Sequence, residues 1–165
     1  AETPALAPRV VVTRSPEVAE LACKADVKAI LHSLPGRNDT VRLGLEALLS
    51  ELPGLAGCIF LPGDQPLLRK ESIEAMVRDF SALDKKERAI LRLGFRAEDG
   101  TERLGSPVLF GSSYFDALCS LPEGKGGGVV IRQYPESVRA VYAARQEELE
   151  DADTAEELER LRRLL

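Results

Sequence analysis

Gly57-Cys58-Ile59-Phe60-Leu61-Pro62-Gly63-Asp64-Gln65-Pro66-Leu67-Leu68 is an apolar run that breaks on a proline and a glycine and then presents a single carboxylate. Residues 57–61 (GCIFL) are strand-sized and carry no charge, the character of a strand covered on both faces. Pro62 and Gly63 stop that strand, and residues 70 to about 83 resume with helical spacing. Strand, rigid turn and helix in this order form the unit of an α/β fold, in which ligands bind beyond the carboxyl ends of the strands. Asp64 falls at such an end.

Reading outward toward the N-terminus, residues 9–13 (RVVVT) form a short β-branched run. A helix follows over 16–25, with Ser15 as N-cap and Pro16 at its first position. Residues 27–31 (VKAIL) are a second strand, Pro35 and Gly36 break the chain, and 40–52 is an amphipathic helix that Asn38 or Asp39 would cap. Toward the C-terminus, strands are expected at 89–93 and 107–110, joined by RAEDGTER, whose Asp99 and Gly100 signal a hairpin turn. Helices are expected over 112–119 and, briefly, from 129; a last strand covers 138–141, and a helix covers 154–165 with a Thr154/Glu157 capping box. Alternating strands and helices predict a three-layer, mainly parallel sheet. Residues 1–8 are expected to be a disordered lead-in, and 9–165 a single domain.

Composition narrows the function. A net charge of −5, from 22 basic and 27 acidic residues spread along the chain, offers no basic stripe to nucleic acid. No apolar run approaches the ~20 residues of a membrane span, and no basic-then-apolar leader opens the chain, so the cytoplasm is the expected location. Cys23, Cys58 and Cys119 are odd in number and flanked by apolar residues, which predicts buried free thiols. His32 stands alone, without a nucleophile or second histidine nearby in sequence, and reads as structural.

At Asp64 the residues leave two readings open. A carboxylate on a rigid turn suits Mg²⁺, which takes one or two carboxylates beside substrate phosphates, and it equally suits an Asx-type turn. Gly36, Arg37, Asn38, Asp39 and Thr40 make a polar loop before a helix, a place for an anion or a base, or else for simple capping. Gly105 and Ser106 before Pro107 allow close approach of a ligand to backbone, and Lys125 among glycines offers a mobile charge for phosphate; both are also ordinary turn chemistry. The run EELEDAD at 147–153 has the composition of a solvated acidic face before a helix.

Residues 60–68 (FLPGDQPLL) resemble the strand-turn signature of the molybdenum cofactor nucleotidyltransferases, the cytidylyltransferase branch especially. Residues 36–45 (GRNDTVRLGL), 105–110 (GSPVLF) and 149–158 (LEDADTAEEL) resemble further segments of that family, in the family's order. The resemblance implies a Rossmann-like fold of the nucleotide-diphospho-sugar transferase type. It implies Mg²⁺-dependent transfer of CMP, or GMP, from CTP or GTP to molybdopterin with release of pyrophosphate, and a molybdenum hydroxylase or its chaperone as recipient of the product. Asp64 would be the catalytic metal ligand, with Asp151 or Asp153 as a second carboxylate. Gly63, Gln65 and Pro66, the 36–40 loop, Gly105, Ser106, Pro107 and Lys125 would line the ligands. GRNDTV departs from the serine-rich loop of the cytidylyltransferases and is similar to that of methylerythritol phosphate cytidylyltransferases, so a methylerythritol or sugar phosphate acceptor is the alternative, and a non-catalytic binding fragment a third. Nothing resembling the family's first strand and its Gly-rich, Arg- and Lys-bearing loop precedes Arg9, so the fold is expected without them and these 165 residues alone are expected to be inactive.

Overall fold

The computed structural model describes residues 6–164. Most of the expected lead-in, residues 1–5, and the final residue of the expected tail helix lie outside them. The described chain forms two compact units, one of residues 59–110 and 137–164, the other of residues 6–58 and 111–136.

In the second of these, β1 (Val10–Thr13) and β2 (Lys28–Leu31) pair in parallel, Val10 opposite Lys28 and Thr13 opposite Leu31. Helix α1 (Pro16–Lys24) joins them and begins as its sequence dictates, with Pro16 at the first turn and the Ser15 hydroxyl accepting from the Val18 N–H at 3.2 Å. Helix α2 (Arg37–Glu51) crosses β1 at Gly44, where a methyl group would lie 3.1 Å from Val12 Cγ2. Its Leu45 is fully buried. This helix starts at Arg37, three residues before its expected start, and its N-cap is Gly36 rather than Asn38 or Asp39. Asp39 stands three residues inside and reaches back to the Gly36 N–H at 3.2 Å, while Asn38 is engaged elsewhere. Helices α4 (Phe115–Cys119) and α5 (Gly128–Gln133) complete the unit, with the Tyr114 and Tyr134 rings 5.1 Å apart.

The other unit is built on a four-stranded sheet ordered β3 (Gly57–Phe60), β5 (Glu102–Gly111), β4 (Ile90–Arg96), β6 (Val138–Tyr142). The units divide within β3, after Cys58. β4 and β5 form the hairpin that Asp99 and Gly100 signal: Gly100 has φ +85, and the Asp99 carboxylate accepts from the Thr101 N–H at 2.9 Å. β6 lies parallel to β4 on its other side. The fold is therefore α/β with mixed sheets. Helix α3 (Lys70–Ser81) buries Ser72, Ile73, Met76 and Phe80, a stripe at helical spacing, and a core of Met76, Phe80, Leu91, Leu93, Leu109, Val141 and Leu149 forms.

Two further sequence expectations are corrected. Of residues 57–61 only Cys58 is buried, and Leu61, past the strand's end at Phe60, is 48% exposed. Among the thiols Cys58 is buried and Cys119 half-buried, but Cys23 is exposed. The apolar Leu21 and Ala22 before Cys23 misled, because α1 buries Ala22 and the next residue is turned roughly 100° away from it, toward the side of Lys24 and water. Burial pushes the Cys58 thiol up to about 12. At pH 8 an alkylating reagent should therefore modify Cys23 first and Cys58 only after denaturant is added, as peptide mass mapping would show; native-state labelling of Cys58 at the rate of Cys23 would contradict this burial.

Gly94 marks the register shift between β4 and β5. A methyl group there would lie 2.9 Å from the Arg103 carbonyl and 2.6 Å from Leu104 Cδ2. Because the carbonyl is backbone and cannot swing aside, Gly94→Ala should destabilise the protein by about 2 kcal/mol. An unchanged urea midpoint would refute it.

Candidate functional site

The chain leaves β3 through Leu61 and Pro62, turns at Gly63 and Asp64, turns again at Pro66 and Leu67, and enters α3. Asp64 is exposed, and among the described residues its carboxylate makes no hydrogen bond or ion pair. The Asx-type turn that its position allowed is not formed. Its backbone is held instead: the Ala152 N–H donates to the Asp64 carbonyl at 2.8 Å. The next residue, Gln65, is buried and donates its amide Nε2 to Asp151 Oδ1 at 3.0 Å, leaving Oε1 buried with no partner among the described residues.

The same C-terminal stretch reaches the start of α3. Glu148, 1% exposed, accepts at Oε2 from the Arg69 N–H at 3.2 Å and the Ser72 hydroxyl at 2.5 Å. Two residues beyond Asp151, the N–H of Asp153 donates to Glu157 Oε2 at 3.0 Å as α6 (Ala155–Arg162) begins behind its Thr154 cap. Within this unit the structure thus brings the 151–153 segment to the Asp64 turn, with Asp151 held on Gln65 and the Asp153 carboxylate exposed. Among the described residues no cluster of three or more His, Cys, Asp or Glu side chains is gathered for a metal. A hard cation bound through one or two carboxylates plus substrate oxygens needs no such cage, and the all-oxygen donors here fit it.

Gly105, Ser106 and Pro107 lie on β5. Arg92 donates to the carbonyls of Leu104 at 3.1 Å and Gly105 at 3.2 Å, and desolvation lowers its pKa from the usual guanidinium value. What comes close to Gly105 is Leu149, with Cδ2 3.4 Å from where a Cβ would stand. Sequence reasoning missed both Glu148 and Arg92. Glu148 sits in an acidic run with nothing to set it apart, and Arg92 is a single charge within an expected strand, which carries no site signal of its own.

In the other unit, the expected 36–40 loop is the N-cap and first turn of α2. Gly36 is buried and Arg37 exposed. Asn38 Oδ1 accepts from the Gly124 N–H at 2.9 Å, tying this turn to the glycine-rich loop that presents exposed Lys125. Asp39 pairs with Arg42 at 3.4 Å, and the Thr40 hydroxyl meets His32 Nε2 at 3.3 Å. His32 Nδ1 is buried without a partner among the described residues.

A family model for the MobA-like NTP transferase domain matches residues 2–140. The chain belongs to the MobA-like NTP transferase domain family. Membership makes it a nucleotidyltransferase, and hence an enzyme. No curated protein matches it significantly. Among solved structures, this NTP transferase domain is similar to a nucleotidyl transferase from Methanothermobacter thermautotroptrophicus, with TM-score 0.73 and 19% identity over 97% of this chain and 74% of that one. A CMP:2-keto-3-deoxy-manno-octonic acid synthetase complexed with CTP gives TM-score 0.70 and 16% identity, covering 99% and 82%. Rv0371c of Mycobacterium tuberculosis H37Rv, solved in complex with manganese, gives 0.59 and 20%, covering 94% and 76%. At these identities the likeness is one of fold. Among the described residues no helix is long and apolar enough to cross a membrane.

Proposed function

We propose that this NTP transferase domain moves a cytidylyl group, or a guanylyl group, from CTP or GTP onto molybdopterin, with a divalent cation, Mg²⁺, held at Asp64. A phosphate oxygen of the acceptor forms the new bond to the α-phosphorus as the bond to the β-phosphate breaks, and pyrophosphate leaves with the electron pair. The observation that carries this reading is the Asp64 carboxylate: it stands at the end of a strand, on a turn fixed by its backbone, and the fold spends it on nothing among the described residues. Asp151 or Asp153 supplies a second oxygen donor from the segment bonded to that turn. When bound, the cation offsets charge on the phosphates and on the leaving pyrophosphate.

Gly63, Gln65 and Pro66 shape the turn against the nucleotide, and Gly105, Ser106 and Pro107 belong to the acceptor side. In the other unit, Gly36, Arg37, Asn38, Asp39 and Thr40 offer helix N–H groups and a guanidinium to the nucleotide, and Lys125 offers a point charge to phosphate. The bond from Gly124 to Asn38 supports their joint role. The product would pass in the cytoplasm to a molybdenum hydroxylase or its chaperone. A second reading, cytidylyl transfer to a methylerythritol or sugar phosphate, is favoured by the GRNDTV segment and by the fold shared with an enzyme complexed with CTP.

Pyrophosphate release by the full-length protein, measured with CTP or GTP and each acceptor in turn, decides between the readings. In the same assay Asp64→Asn should lower kcat at saturating Mg²⁺ by roughly a hundredfold or more, while its melting temperature stays near that of wild type. Equal kcat values would return Asp64 to a turn residue.

A further inference from the structure

We propose that Glu148 is a positioning residue for the Asp64 turn, its buried carboxylate tying the start of α3 to the C-terminal segment so that the Asp64 carboxylate is held in place for the metal. The inference rests on the metal reading of Asp64. Helix α3 begins after Arg69 without any side-chain cap of its own, so its first donors need partners from elsewhere. Glu148, distant in sequence, serves both the Arg69 N–H and the Ser72 hydroxyl with one oxygen. A carboxylate removed from water to this extent is costly, and among the described residues no cation pairs with it: the Arg69 guanidinium turns to Glu71 at 3.6 Å, and Glu148 Oε1 has no partner. A helix N-terminus compensates a negative charge in part.

Packing holds the turn only in part: Gln65 is buried and Leu68 lies against the core, but the Asp64 side of the turn is open. A Cβ on Gly63 would meet nothing within 4 Å, and Asp64 and Pro66 are both exposed. Besides the turn's own Leu68 N–H to Gln65 carbonyl bond, the tethers come from one segment: Ala152 N–H to the Asp64 carbonyl, Asp151 to Gln65, and Glu148 to Arg69 and Ser72. Glu148 is the anchor at the α3 end, and removing it loosens the path from Asp64 into the helix. Groups that orient metal ligands in this way change metal affinity or activity by about 10- to 100-fold when removed.

The test uses the full-length protein with Glu148→Ala, Glu148→Gln, Ser72→Ala and Asp64→Asn, well below their melting temperatures. The Kd for Mn²⁺, titrated by EPR without turnover and expected to shift in parallel with the Mg²⁺ requirement, is measured for each beside the half-saturating Mg²⁺ concentration, the kcat and the KM for the nucleotide. Glu148→Ala should raise the half-saturating Mg²⁺ concentration about tenfold or more, with a smaller change in nucleotide KM. Glu148→Gln keeps a carbonyl oxygen that can accept both bonds and should stay within about threefold of wild type, and Ser72→Ala should fall between them. A folded Glu148→Ala with wild-type metal dependence overturns the proposal, as does Glu148→Gln as impaired as Glu148→Ala. Should Glu148→Ala fail to fold, Ser72→Ala decides: an unshifted Mg²⁺ requirement overturns the proposal. Full activity in Asp64→Asn defeats the metal reading and this proposal with it, whereas loss in Asp64→Asn beside an unchanged Glu148→Ala defeats the positioning role alone.

Discussion

The hydrogen bonds that residues 148–152 make to residues 64–72 are what the candidate site depends on. They link stretches roughly 80 residues apart, so the chain must close a long loop before any of them forms. The sheet closes it. β6 settles parallel to β4, the Ala143 N–H extends the pairing to the Gly94 carbonyl at 2.8 Å, and Leu149 then drops into the core. That buried leucine fixes the phase of the acidic run: Glu148 points inward to α3, and Asp151 and Ala152 arrive at the turn. A site whose position is set this way is only as firm as the hydrophobic contact beneath it.

Much of the architecture was legible because local chemistry decided it. Ser15 and Pro16 open α1, Thr154 and Glu157 open α6, and Asp99 with Gly100 closes the hairpin, each through bonds spanning a few residues. The start of α2 was misread for a physical reason: Asn38 has the side chain of a cap, but Gly124, far away in sequence, claims its oxygen and leaves Gly36 as the N-cap. The same limit hid Glu148. In EELEDAD every acid has the composition of a solvated face, and only the topology shows that one of them is 1% exposed and bonded to two donors. Cys23 and Leu61 failed in the opposite direction, since apolar neighbours in sequence do not reveal which side of a helix, or which residue past a strand's end, meets water.

Family membership and geometry answer different parts of the functional question. The family match makes the chain a nucleotidyltransferase, and the fold is shared with a nucleotidyl transferase and with a CMP:2-keto-3-deoxy-manno-octonic acid synthetase. The geometry adds a division of labour among neighbouring side chains in one unit. Gln65 and Glu148 are consumed in holding the structure, and Asp64, between them and the strand, is left unpaired among the described residues. Electrostatic positioning supplies most of phosphoryl-transfer catalysis, and a carboxylate kept free of competing bonds while its backbone is fixed suits that task.

The most direct test of the account is to locate the cation. Crystals of the full-length protein grown with Mn²⁺ and a non-hydrolysable CTP analogue would show, in an anomalous difference map, where the metal binds. The account predicts a peak within coordination distance of the Asp64 carboxylate and lost in Asp64→Asn. A well-occupied peak elsewhere, with Asp64 coordinating nothing, would contradict it.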